Sequence, residues 1–209
     1  GFALGGGGSS WSLSRGLGGG SGDFVQAGVY GVAELGAAYV SAALGFGTHW
    51  MTTSRVATFG YSLKGNFGAQ NVSGRLESGY KLATPFAIVT PFAALQSQRV
   101  VTDGFGETAA LPIGTDFGLT YKGRAAVATR SELGSHFEMS APLAGALRVQ
   151  LRGTLAWAHN WADDPALMAY FTQLPGAGFR VEGAKLPRDA ALVRAAAEVQ
   201  MRNGFAFFG

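Results

Sequence analysis

The 209 residues are 47% hydrophobic but only 14% charged, where soluble domains carry about 25% charged residues, so an ordinary surface facing water on all sides is excluded. The 33 glycines are more than twice what an average usage of roughly 7% would give, and they argue against a helical fold: Gly costs about 1 kcal/mol against Ala in a helix, whereas strands use it at bends, bulges and close backbone approaches. A net charge of +3 without any basic run gives no reason to invoke nucleic acid, and the absence of cysteine rules out disulfides and thiolate metal sites.

The first ten residues have no charged segment followed by an apolar core, so they do not read as a signal peptide, and the chain is expected to begin inside a longer protein. No apolar run approaches the ~20 residues of a membrane-spanning helix; the segment from Phe86 to Leu95 is short and contains Pro91. In lipid every backbone polar group must be paired without water, which leaves the closed β-barrel. Strands are predicted near 2–14, 23–34, 36–51, 65–82, 86–99, 125–139, 145–160 and 189–202, with a ninth beginning at Gly204.

The connections alternate in length. Short ones fall at Leu35-Gly36, Ala83-Thr84-Pro85, Ser140 to Ala144 and Asn203-Gly204; long ones run over 15–22, 52–64, 100–124 and 161–188. Outer-membrane barrels sort their loops this way, with short periplasmic turns and long extracellular loops. The strand lengths also suit ~9–11 tilted residues in hydrocarbon plus a few in the interfaces.

Period-two patterning sets the faces. Val72, Leu76 and Tyr80 oppose Ser73, Arg75, Glu77 and Lys81; Leu133 and Phe137 oppose Arg130, Glu132, His136 and Glu138. From 147 to 157, Leu147, Val149, Leu151, Leu155 and Trp157 oppose Arg148, Gln150, Arg152 and Thr154. Near the end Val193, Ala195, Ala197, Val199 and Met201 oppose Arg194, Glu198, Gln200 and Arg202, with Leu192 out of step. The first strand, with Gly5 to Gly8, and the fifth, with Pro91, have open assignments. A soluble barrel of the lipocalin type would invert the pattern, apolar face inward. The mixed-sign charges, able to pair across a wet lumen, favour the membrane version, and Trp50, Tyr80, Phe137 and Trp157 stand where an aromatic girdle would sit.

The polar set Arg75, Glu77, Lys81, Arg130, Glu132, Glu138, Arg148, Arg152, Glu198 and Arg202 is predicted to face the lumen, either as a charged passage for an extended polypeptide or as mutually satisfied charges that hold strands in register. No catalytic motif accompanies it: there is no G-x-S-x-G elbow, no H-E-x-x-H and no phosphate-binding loop. His49, His136 and His159 read as interfacial or lumenal side chains and not as metal ligands. Asp163-Asp164 could suggest a metal or a catalytic pair, but Asp164-Pro165 before Ala-Leu-Met-Ala-Tyr-Phe reads as the cap and first turn of a helix. Asp103 to Glu107 lacks the spacing of a calcium site and reads as a solvated loop.

Several stretches in order carry a family resemblance: Gly74-Arg75-Leu76-Glu77-Ser78-Gly79-Tyr80, Thr90-Pro91-Phe92-Ala93-Ala94-Leu95-Gln96, Thr129-Arg130-Ser131-Glu132-Leu133-Gly134, and Leu155-Ala156-Trp157-Ala158-His159-Asn160-Trp161. With the Asp-Pro-Ala-Leu stretch, Phe171 to Pro175 and Gly176-Ala177-Gly178-Phe179, they resemble the C-terminal β-domain of autotransporters of the type V secretion pathway over nearly the whole chain.

The resemblance implies an all-β, up-and-down, twelve-stranded barrel that anchors in the outer membrane of a Gram-negative bacterium and helps export an N-terminal passenger of the same precursor to the cell surface, without catalysis or cofactor and with barrel-assembly machinery as a partner. Loop parity makes the nine visible strands fit family strands three to eleven, so 1–209 is expected to be one partial barrel domain, without the passenger, the linker helix or the final strand. The rival readings are another outer-membrane barrel, porin-like or adhesive through its long loops, and an outer-membrane hydrolase.

Overall fold

A computed structural model describes residues 1–57, 60–109, 117–142, 148–200 and 206–208. Among them one turn of 3-10 helix (Ser14–Gly16) accompanies fourteen strands: β1 (Phe2–Ser12), β2 (Gly18–Leu35), β3 (Ala38–Val56), β4 (Ser62–Tyr80), β5 (Leu82–Ala83), β6 (Ile88–Thr102), β7 (Phe105–Ala109), β8 (Leu119–Tyr121), β9 (Arg124–Pro142), β10 (Arg148–Ala162), β11 (Ala166–Phe171), β12 (Leu174–Glu182), β13 (Asp189–Gln200) and β14 (Ala206–Phe208). No helix among these residues is long and apolar enough to cross a membrane.

Nine of the strands form a wall in the order β1-β2-β3-β4-β6-β9-β10-β13-β14, each antiparallel to the next. These are the nine expected from the sequence. Among the described residues β1 pairs only with β2 and β14 only with β13, so the sheet is open.

The up-and-down order puts the described short turns between wall strands, β2–β3 and β4–β6, at one end. Gly36, with φ 68°, makes the β2–β3 turn in a left-handed conformation that suits glycine. Thr84 closes the next turn, its hydroxyl donating to the Ala87 carbonyl at 2.6 Å. The turns expected around 143 and 203 lie outside the described residues.

At the opposite end the structure corrects the expected long loops. Gly18 to Gly22 pair with Met51 to Arg55, and Ser62 to Lys64 with Ser54 to Val56, so β2, β3 and β4 continue through segments expected to be loops. The segment 100–124 contains β7 and β8, and 161–188 contains β11 and β12. These ribbons pair in the order β4-β7-β8-β11-β12 and extend the wall beyond the long strands. Backbone ladders need no apolar alternation, so pairing runs on past the point where the hydrophobic pattern stops.

Direct partners across a sheet share a face, and the register therefore sorts every side chain. One face carries Leu44, Val72, Leu76, Leu95, Leu155 and Val193, all widely exposed. The other is sheltered: Phe92, Ala94, Glu132 and Ala158 are buried there. Among the described residues, the apolar and polar sets predicted for β4, β9, β10 and β13 fall on opposite sides of the sheet. The two open assignments are also resolved, with Leu4 outward and Gly5 sheltered in β1, Leu95 outward and Ala94 sheltered in β6. Trp50, Tyr80, Phe137 and Trp157 all lie on the open face.

Close strand approach is steric at Gly134, on the sheltered face. A Cβ there would collide with the Leu155 carbonyl and stand 2.5 Å from Ala156 Cβ, whereas at Gly74, on the open face, its nearest neighbours are the end of Leu44 at 3.3 Å and the Ala43 carbonyl at 3.9 Å. Gly134→Ala is expected to cost about 1–3 kcal/mol by overpacking, and Gly74→Ala far less; urea titration of the folded fraction of each variant checks this.

Candidate functional site

The sheltered face gathers four of the predicted charges into one cluster, and the register explains how. Glu77, Ala94 and Glu132 occupy one cross-strand row on β4, β6 and β9, and Arg75, Gln96 and Arg130 occupy the adjoining one. Ala94, being small, leaves room for the Arg75 guanidinium to span two strands. Its Nη2 lies 2.7 Å from Glu77 Oε2 and 2.7 Å from Glu132 Oε2, while Nη1 donates to Gln96 Oε1 at 3.4 Å. Arg130 Nη2 stands 2.6 Å from Glu132 Oε1, an ion pair without good hydrogen-bond alignment, since that oxygen accepts no hydrogen bond.

Neighbours complete the cluster. Tyr39 donates its hydroxyl to Glu77 Oε1 at 2.7 Å, and its ring leans over Gly79, where a Cβ would stand 2.6 Å from the ring edge. His136 Nε2 is 3.3 Å from Glu77 Oε1, its Nδ1 is 3.0 Å from Thr154 Oγ1, and its ring stacks on Phe92 at 4.1 Å. Two carboxylates and two guanidiniums thus balance in a polar patch, with Glu132 only 4% exposed. A removed partner would leave an uncompensated charge.

The other members of the predicted set lie apart. Arg152 faces Glu198 across β10 and β13 at 3.8 Å and donates to Gln150 at 3.1 Å. Lys81 pairs with Glu34 at 2.6 Å, both exposed at the short-turn end. Glu138 and Arg148 are exposed near the same end, and Arg202 lies outside the described residues.

The comparisons with known proteins agree with this architecture. A profile of the autotransporter β-domain matches residues 1–209. The chain belongs to the autotransporter β-domain family. Among solved structures the β-domain of the Bordetella autotransporter BrkA superimposes with a TM-score of 0.57 at 20% identity, covering 99% of this chain and 83% of that one. No curated protein sequence matches. Domains of this family are translocator and anchor barrels for passenger export, which is the role of this chain.

The ribbon end of this autotransporter β-domain holds a second ion pair that sequence reasoning missed. Arg55, at the end of β3, reaches over β4 to Glu107 on β7: Nε donates to Oε1 at 2.8 Å and Nη2 to Oε2 at 2.6 Å. Glu107 also accepts from the Leu119 amide at 3.0 Å and is nearly buried, which corrects the reading of 103–107 as a solvated loop. Beside it Phe67, Phe105 and Tyr121 stack in sequence at 4.4 and 4.6 Å. The alternation Phe105, Glu107, Ala109 was a faint strand signal hidden by flanking glycines.

The helix expected after Asp164 is also overturned. Ala166–Phe171 is β11, paired with both β12 and β8, because sheet partners were available on each side. Asp164 caps no helix; its carboxylate takes Lys185 at 3.1 Å and Arg180 at 3.6 Å, while Arg124 bonds the carbonyls of Asp164 and Ala166.

The hydrogen bond from Lys185 holds the Asp164 carboxyl below its ordinary value of 3.8. A lowered carboxylate pKa contributes stability above the ordinary value and loses it as the pH falls toward the lowered one. The β11–β12 ribbon is therefore expected to loosen below about pH 4, a change that Asp164→Asn should blunt, read by hydrogen exchange of residues 166–182.

His49 and His136 lie on the sheltered face, and His159 lies on the open one. Among the described residues no group of three His, Asp or Glu side chains is placed to hold a metal.

Proposed function

We propose that the sheltered face lines the water-filled passage of an outer-membrane barrel, with Arg75, Glu77, Arg130, Glu132, Arg152 and Glu198 toward the lumen, and that the open face contacts lipid. The observation that carries this is the segregation itself: a balanced ionic cluster occupies one side of β4, β6 and β9, while Leu76, Leu95 and Leu133 occupy the other. Such a face keeps water in the passage, and its charges are mutually engaged, so an extended passenger of the same precursor can slide along it without meeting a strongly attractive site. The nine-strand wall is then an arc of the family barrel, inserted with the help of barrel-assembly machinery, and no residue here carries a catalytic step.

The chain has no cysteine of its own, which makes the topology directly testable. Single cysteines replacing Arg152 and Leu155 should divide. Cys at 152 is expected to react with a water-soluble, membrane-impermeant maleimide, and Cys at 155 is expected to resist it and to be reached by a lipid-dissolved quencher once labelled with a dye. The opposite pattern would turn the barrel inside out and end this reading.

A further inference from the structure

On the open face, at the ribbon end of β9, β10 and β13, a cavity of about 650 Å³ lies between Val127, His159, Trp161, Asp163, Lys185 and Arg188. We propose that it binds the phosphorylated headgroup of a membrane lipid. The proposal rests on the reading of the open face as lipid-facing.

Position comes first. Counting along the open face of β10 from the short-turn end, Leu151, Leu155 and Trp157 precede His159 and Trp161, and the strand ends at Ala162. The cavity therefore begins where the apolar belt ends: Trp161 lines it, Trp157 precedes it on the same face of β10, and both indoles are half exposed. Tryptophan favours this level because its ring is apolar and its N–H polar. Whatever fills the cavity must lie in the plane of the membrane interface, which selects a lipid over a soluble ligand.

Charge comes second. Each carboxylate near the cavity is already engaged. Asp163 accepts the Val127 amide at 2.8 Å; Asp164 holds Lys185 and Arg180; Asp189 accepts His159 Nδ1 at 2.8 Å and Trp157 Nε1 at 3.1 Å. The cations are in surplus. Arg188 lines the cavity, and Arg99 stands exposed on the open face of β6 as the direct cross-strand neighbour of Val127. Neither side chain makes a hydrogen bond or an ion pair among the described residues. Two guanidiniums without a hydrogen bond, Arg188 at the cavity and Arg99 beside Val127 on its edge, suit a phosphate monoester, whose net negative charge and oxygens meet their forked donors. A zwitterionic headgroup, whose phosphate is offset by its own cation, or a neutral one gains less.

The test titrates the purified precursor that carries this chain, in neutral detergent micelles, with a phosphorylated glucosamine lipid and with the same lipid lacking phosphate, and counts bound lipid by native mass spectrometry. The phosphorylated lipid should bind more tightly than its phosphate-free form. Arg99→Gln with Arg188→Gln should weaken it by roughly fivefold per charge removed, about 25-fold together, and should leave the phosphate-free lipid unchanged. Both substitutions are at exposed positions, and heat-modifiable gel mobility confirms that the variant is folded.

Equal binding of the two lipids, or an unchanged affinity in the double variant, would overturn the proposal. Displacement by inorganic phosphate at the same concentration as the lipid would overturn it too, by revealing a site for the free anion. Reversed labelling at 152 and 155 would instead defeat the barrel reading, a separate result from lipid counting in micelles.

Discussion

Glu132→Ala is expected to destabilise this β-domain by about 3–5 kcal/mol, the cost of breaking a buried ion pair by removing one partner. The side chain is 2% exposed and serves two guanidiniums, Arg75 from β4 and Arg130 from its own strand. Alanine at this position leaves both facing one remaining carboxylate, Glu77. Urea unfolding followed by heat-modifiable gel mobility should show the loss, with passenger display at the cell surface falling in parallel. Glu132→Gln should cost less, because the amide oxygen still accepts a hydrogen bond. Pairing Glu132→Ala with Arg75→Ala should cost less than the sum of the two, since the second substitution removes one of the stranded charges. Additive losses would mean that the two side chains do not interact.

Leu155→Arg is the second large effect, about 2–4 kcal/mol for a cation placed on the lipid-facing side of a barrel strand. Leu155 is 53% exposed on the open face, so in water the same change would be nearly neutral. The contrast with Gln150→Arg makes the result diagnostic. Gln150 is on the sheltered face of the same strand, directly opposite Glu198 in the register, and arginine there shares the Glu198 carboxylate with Arg152. That variant should change stability by less than about 1 kcal/mol. Equal effects at 150 and 155 would show that lipid does not cover the open face.

The two faces were legible in the sequence because strand side chains alternate with a period of two, a property each strand carries within itself. Val72, Leu76 and Tyr80 against Ser73, Arg75 and Glu77 needed no knowledge of neighbours. The cluster was only partly legible. Its members could be placed on the sheltered face, but which charges would meet depended on a register between strands 57 residues apart, Arg75 and Glu132. Tyr39 was missed because it sits alone at the start of β3, and only its position beside Gly79 brings its hydroxyl to Glu77.

The ribbons show a different limit. Ala166–Phe171 follows an Asp-Pro pair that would start a helix in isolation, yet it forms a strand because β8 and β12 offer their backbones on either side. Local preferences of a few tenths of a kcal/mol per residue give way to a row of ladder hydrogen bonds. Arg55 and Glu107 belong with this case, since neither flanking sequence hints that β7 will lie beside β4.

The sequence by itself determined the all-β class, the nine wall strands, the apolar side of β4, β9, β10 and β13 and the family to which the chain belongs. Tertiary structure decided where the ladders end, which segments between strands become ribbons, and which charges pair. Alternation and turn chemistry are local and written residue by residue, whereas cross-strand pairing is a relation between distant segments whose backbone groups are chemically alike, so only the assembled sheet selects among the possible partners.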